Sequence, residues 1–180
     1  MIRTGRASDG SMGTGGRLYR RVRAGVFDRP TGFAWVEPGK LAASGYPASR
    51  GQLEWLAQSG IRSVLTLTEA DVPSEWKQGL DLRSKHVSLR DHELPDSEKL
   101  DEGVDFIVQE LSAGRSVVVH CLAGEGRTGC MLAAYLIREK GIGPQQALDE
   151  LRRVKPAFVE RSQESAVFEY ARRHGQLAAS

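Results

Sequence analysis

The chain has 180 residues, 40% hydrophobic and 27% charged, with a formal net charge of +2. That length and composition suit one ordinary globular domain that buries a full core without disulfides or metals. They exclude a membrane span, because no run approaches ~20 apolar residues, and the N-terminus carries no apolar signal-peptide core.

The charge is uneven. Residues 1–29 hold seven arginines against Asp9 and Asp28, about +5, which leaves about −3 for the rest. The stretch "RTGRASDGSMGTGG" cannot bury enough apolar surface to order itself. Residues 1–25 are therefore expected to be a flexible basic extension ahead of a folded domain over 26–178. A nucleic-acid arm, a contact for an acidic partner and a transit peptide are the other readings of such a tail. Cys121 and Cys130 are the two cysteines. They make no disulfide framework, so a reducing compartment, the cytoplasm, is expected. With no C-x-x-C pair and scattered histidines, no metal site is expected.

In chain order, "FAWVEPGKLAASGYP" reads as one or two short strands broken at Pro38-Gly39. "SRGQLEWLAQSG" predicts a helix capped by Ser49 and ended by Gly60, with Leu53, Leu56 and Ala57 inward. "IRSVLTLT" alternates as a strand does. "SEWKQGL" predicts a short helix and "DLRSKHVSLRD" another strand. "SEKLDEGVDFIVQELSAG" predicts a helix from Ser97 to Gly114, with Leu100, Val104, Ile107, Val108 and Leu111 on one face. "SVVVHC" predicts a strand buried on both faces, and "RTGCMLAAYLIREKG" a buried helix. "GPQQALDELRRVKP" follows with Ala147, Leu148, Leu151 and Val154 inward, and "SQESAVFEYARRHG" closes the chain. The order predicts a single α/β domain, with a mostly parallel central sheet of about 4–5 strands flanked by helices.

The segment "HCLAGEGRTG" therefore links a buried strand to a buried helix. Glycines there let backbone N–H groups converge, and a helix N-terminus adds partial positive charge; such a nest suits phosphate. "GEGRTG", Gly124 to Gly129, fits the dinucleotide pattern G-x-G-x-x-G. However, the acidic pair about 20 residues on, Asp149 and Glu150, lies in an amphipathic helix instead of at a strand end. A Walker A loop is excluded, because no Lys precedes a Ser or Thr at the loop's end.

His120, Cys121, five residues, Arg127 and Thr128 resemble the signature of the cysteine-dependent protein tyrosine phosphatase superfamily. The chain length and the late motif resemble its small atypical dual-specificity members, with the likeness running from about Phe33 to Gly175. An ordinary thiol, with a pKa near 8.5, is mostly protonated at neutral pH; a helix N-terminus and a nearby guanidinium are the surroundings that favour thiolate. Cys130, among apolar helix residues, reads as a buried hydrophobe.

The resemblance implies a tyrosine-phosphatase-like catalytic domain over 26–178, acting without metal or cofactor. Its substrate would be a phosphoprotein or phosphopeptide carrying phosphotyrosine, with phosphoserine or phosphothreonine as extensions. Nucleic acid and membrane are not expected partners, and a monomer is the expectation. Cys121 is implied as nucleophile. The phosphate loop would be Leu122, Ala123, Gly124, Glu125, Gly126 and Arg127, with Arg127 holding phosphate through its planar fork. His120 would fix the loop by hydrogen bonds, and Thr128 would donate to the sulfur as it leaves.

The general acid is sought in "SLRDHELPDSEK". Asp91 is preferred, because Asp96 stands where a helix cap explains it. Arg90 replaces the Pro that the family often places before this Asp. Gln163 is the candidate for positioning the hydrolytic water, with Glu125 as a second candidate. Glu125 also argues against phosphoinositides, since an acid in the loop repels multiply charged head groups. A phosphoinositide or other small-molecule phosphomonoesterase using the same cysteine is the alternative.

Overall fold

The computed structural model describes residues 29–175. The basic extension expected over 1–25 lies outside them, as do the outer edges of the domain expected over 26–178.

Among the described residues, twelve elements follow in chain order. The first ten are β1 (Ala34–Glu37), β2 (Leu41–Ser44), α1 (Arg50–Gln58), β3 (Ser63–Thr66), α2 (Ser74–Lys77), β4 (Arg83–His86), α3 (Ser97–Ser112), β5 (Val117–His120), α4 (Gly126–Lys140) and α5 (Pro144–Val154). A 3-10 turn (Arg161–Gln163) then leads into α6 (Glu164–Arg173). The five strands form one sheet in the order β1-β2-β5-β3-β4. β1 pairs antiparallel with β2 across the Pro38-Gly39 turn, and every other pairing is parallel.

Alternation across the sheet explains its two cores. Ala42, Val64 and Val118 face one side with Leu53, Leu56, Ile61 and Phe33. Leu41, Ala43, Leu65, Val117 and Val119 face the other, against α3, α4, α5 and α6. β5 lies between β2 and β3, so Val117, Val118 and Val119 are completely buried. Each contributes roughly 1.5–3 kcal/mol as an upper bound. Every residue of α4 from Gly126 to Ile137 is buried, which accounts for its apolar sequence all round.

Capping explains several boundaries. The Ser49 side chain accepts from the Gln52 N–H at the start of α1, and Asp96 accepts from the Glu98 N–H at the start of α3. Pro144 opens α5, where a missing N–H costs nothing, and Gly141 ends α4 in the left-handed region.

Two expectations need adjustment. The alternating polar residues of β3 do not face water: Ser63 and Thr66 are buried because helices cover both faces. They are satisfied internally, Ser63 Oγ donating to Glu110 (2.6 Å) and Thr66 Oγ1 lying 3.0 Å from His120 Nε2. Val154, expected inward, is 38% exposed. It sits in the last turn of α5 and lines an open cavity of about 490 Å³ with Val36, Leu136 and Ile142.

Candidate active site

Parallel pairing brings Ser44, Thr66 and His120 side by side at the carboxyl edge of β2, β3 and β5. The loop from Cys121 to Glu125 leaves this edge, and α4 begins at Gly126. Arg127 and Thr128 thus stand in the first helical turn, where backbone N–H groups have no partner within the helix.

The direction of the loop's N–H groups follows from its carbonyls. All described peptide bonds are trans, so the C=O of one residue and the N–H of the next point in opposite directions. The Cys121 carbonyl lies 3.4 Å from His120 Nδ1, and the Leu122 carbonyl accepts from the Tyr46 N–H at 3.0 Å. Lys155 Nζ meets the carbonyls of Ala123 (3.4 Å) and Gly124 (3.1 Å), and the Glu125 carbonyl accepts from the Gly129 N–H at 2.7 Å. Five consecutive carbonyls are therefore tied to the surrounding scaffold. The N–H groups of Leu122, Ala123, Gly124, Glu125 and Gly126 face the opposite way, which makes the loop an anion nest.

Gly124 is obligatory in this path. Its φ is +71°, and a Cβ there would fall on the Ser44 carbonyl. Gly126 has a different reason: a Cβ there would fall on the side-chain oxygen of Gln163.

Cys121 sits at the base of the loop, 3% exposed and without a disulfide. His120 is fully buried, and burial lowers its pKa to about 4, so it stays neutral. A carbonyl can only accept, so the proton belongs on Nδ1, facing Cys121 O, and the Thr66 hydroxyl donates to Nε2. The Tyr46 ring stands edge-on to the imidazole at 5.6 Å.

Arg127, 2% exposed, is gripped along one edge. Its Nη1 donates to Glu69 Oε2 (2.9 Å) and to the Leu89 carbonyl (3.0 Å). The other edge carries Nε, buried without a hydrogen-bond partner among the described residues, and Nη2, 3.2 Å from Asp91 Oδ1. Glu69 also accepts from the Asp91 N–H at 2.9 Å. Its own backbone N–H, Arg127 and the Asp91 N–H hold its carboxyl down at about 2. The Thr128 hydroxyl is buried and likewise unpartnered among the described residues.

The structure separates the two aspartates: Asp91 stands on Arg127, while Asp96 caps α3. Arg90, in the place of the Pro, points outward and lies 3.6 Å from Glu93. Gln163 is 1% exposed, packed over Gly126 with its amide donating to the Glu93 carbonyl (3.2 Å). Glu125 is not a free charge, because its carboxylate lies 3.1 Å from Lys155 Nζ. That pairing weakens its sequence-based role as a repeller of anionic head groups. Cys130 is fully buried on α4, and burial pushes its thiol up to about 12.

Sequence reasoning missed Glu69, Lys155 and Tyr46. Glu69 and Tyr46 had a signal, since each lies just past a strand run, where α/β sheets place ligands.

A family model described as "Polymorphic toxin system, DSP-PTPase phosphatase" matches residues 39–141. The chain belongs to the DSP-PTPase phosphatase family. It is 30% identical over 132 residues to phosphatidylglycerophosphate phosphatase PTPMT1 of Arabidopsis thaliana, covering 72% of this chain and 39% of that protein. It is 34% identical over 104 residues to human dual specificity protein phosphatase 9, covering 57% of this chain and 27% of the other. The chain thus spans well under two thirds of either relative.

The crystal structure of Tk-PTP in the active form superposes with a TM-score of 0.71 at 26% identity, covering 78% of this chain and 96% of the other. The crystal structure of PTPMT1 gives 0.69 at 22%, covering 79% and 96%, a likeness of fold. The mostly parallel five-stranded sheet with flanking helices is thus the fold of this DSP-PTPase domain. None of its described helices is long and apolar enough to cross a membrane.

Proposed function

We propose that this domain is a phosphomonoesterase that hydrolyses phosphotyrosine in proteins through a phosphocysteine intermediate, with phosphoserine and phosphothreonine as further substrates. The observation that carries the reading is the set of five anchored carbonyls. They leave five N–H groups facing away from those partners, beside an arginine with Nη1 fixed on Glu69 and Leu89 and its other edge meeting only Asp91 among the described residues.

In this mechanism a phosphomonoester dianion takes the Nε/Nη2 edge of Arg127, and Nη1 stays on Glu69 and Leu89. The phosphate displaces the Asp91 carboxylate from Nη2, and the freed carboxylate takes up the proton that Cys121 releases on ionising to the thiolate. The Cys121 thiolate attacks phosphorus, the P–O bond to the leaving group breaks, and protonated Asp91 gives its proton to the departing oxygen. Fixed N–H groups and the guanidinium stabilise the equatorial oxygens. Thr128 donates to the sulfur when water, held by Gln163, displaces it from phosphorus. Deprotonated Asp91 takes the water's proton, which restores the acid.

Preference for a protein substrate rests on charge. Glu69, Asp91, Glu93, Glu125 and Glu160 stand around the loop against Arg90, Arg127, Arg152, Lys155 and Arg161, so the mouth carries no surplus of cations. A cleft of about 540 Å³ beside it is lined by Glu125 and Glu160 as well as Arg152 and Arg161. One phosphate on an otherwise uncharged or cationic segment suits such a mouth better than a lipid head group carrying several negative charges. A phospholipid monophosphate is the second reading, favoured by similarity to the Arabidopsis phosphatidylglycerophosphate phosphatases.

Initial rates on phosphotyrosine, phosphoserine and phosphothreonine peptides, phosphatidylglycerophosphate and a phosphoinositide decide between the two. The highest kcat/KM should fall on phosphotyrosine, with all turnover lost in C121S. A phospholipid turned over fastest would transfer the assignment to lipids, and activity retained in C121S would refute the thiolate route.

A further inference from the structure

We infer that Lys155 is a positioning residue of the phosphate loop, and that Glu125 is the counter-ion that keeps it in place. The inference rests on the phosphatase reading of that loop. Lys155 ends α5, its backbone N–H donating to the Leu151 carbonyl at 2.9 Å. Its side chain turns away from bulk water, 19% exposed. An ammonium has three donors. Here they meet three acceptors: the Gly124 carbonyl (3.1 Å), the Ala123 carbonyl (3.4 Å) and Glu125 Oε1 (3.1 Å). The fit leaves little slack, for a Cβ at Gly32 would come within 2.9 Å of the amine.

The two carbonyls matter because each fixes the N–H on its far side. With Ala123 O and Gly124 O drawn to Lys155, the N–H groups of Gly124 and Glu125 are turned toward the anion. Without the ammonium these two carbonyls have no other hydrogen-bond partner among the described residues to hold them away from the phosphate. The other three loop carbonyls are held independently, by His120, Tyr46 and Gly129. Lys155 therefore governs two of five N–H donors.

A second effect is purely electrostatic. Glu125 lies beside a site that binds a dianion, and Lys155 cancels its charge. The two effects are separable, since K155M removes both and E125Q/K155M removes only the orientation of the peptides. The double variant leaves no uncompensated carboxylate, so it is also the safer one to fold.

The measurement is competitive inhibition of p-nitrophenyl phosphate hydrolysis by inorganic phosphate, with thermal unfolding run alongside. K155M should weaken phosphate inhibition at least about 10-fold. E125Q/K155M should remain at least about 5-fold weaker than wild type. K155R, whose guanidinium can still reach both carbonyls, should return within about 3-fold. A double variant that binds phosphate as wild type does would reduce Lys155 to a neutraliser of Glu125 and overturn the positioning role. So would a K155M enzyme that cannot be told from wild type, or a K155R enzyme as impaired as K155M. A wild-type chain that neither hydrolyses aryl phosphate nor binds phosphate fails differently, since it removes the phosphatase reading itself and this inference with it.

Discussion

His120 should make the domain acid-labile in a defined window. The imidazole is fully buried between Thr66 and the Cys121 carbonyl, and burial lowers its pKa from 6.5 to about 4. In the unfolded chain it titrates near 6.5. Between these values the unfolded state binds more protons, so stability falls as pH drops from about 6.5 toward 4, where the native imidazole also protonates. The gap of about 2.5 units corresponds to roughly 3 kcal/mol at full extent and to about 2 kcal/mol at pH 5. Since domains of this size are stable by only about 5–15 kcal/mol, the loss is easily read in urea unfolding. Carboxylates such as Glu69 lose native-state stabilisation at lower pH, so the His120 share is isolated by comparison with H120N. The variant starts less stable at pH 7.5, and its deficit should narrow by about 2 kcal/mol at pH 5. A deficit that stays constant to within about 0.5 kcal/mol would refute a neutral, buried His120.

D91N should slow kcat on phosphotyrosine by about 10²–10⁴-fold but spare an aryl phosphate whose leaving group needs no proton; D96N, where Asn still caps α3, should stay near wild type. A larger effect from D96N, or an equal effect of D91N on both substrates, would place the acid elsewhere. G124A should cost at least about 1–2 kcal/mol from the left-handed backbone alone, and more from the approach to Ser44, with turnover falling in parallel; unchanged unfolding would mean the loop follows another path. Iodoacetamide at pH 7 should label Cys121 and leave Cys130 untouched until denaturant is added, because burial holds the Cys130 thiol protonated to about pH 12. Labelling of Cys130 in native C121S, read by mass spectrometry, would contradict its buried place on α4.

What the sequence made legible was local. Three valines, a cysteine, three glycines and an arginine within one stretch describe a buried strand, a turn of N–H groups and a helix N-terminus, and the structure builds that junction. Helix limits came from Ser49 and Asp96, whose capping chemistry acts within a few residues. Gln163 shows the opposite case. Beside charged neighbours in "ERSQES" it resembles a surface residue, yet the close approach of the 3-10 turn to Gly126 buries it.

The partners that complete the site were hidden because they depend on strand order, which no local pattern encodes. β5 comes last in the chain but enters the sheet between β2 and β3. That insertion puts the carboxyl ends of both neighbours beside the loop. Tyr46, just past β2, thereby reaches the Leu122 carbonyl, and Glu69, just past β3, reaches Arg127. A chain with β5 at the sheet edge would flank the same motif on one side only. Either Arg127 would lose the carboxylate that fixes its Nη1 edge, or the loop would lose the N–H that turns Leu122. The anion site is thus a property of the β2-β5-β3 adjacency as much as of the residues from His120 to Thr128.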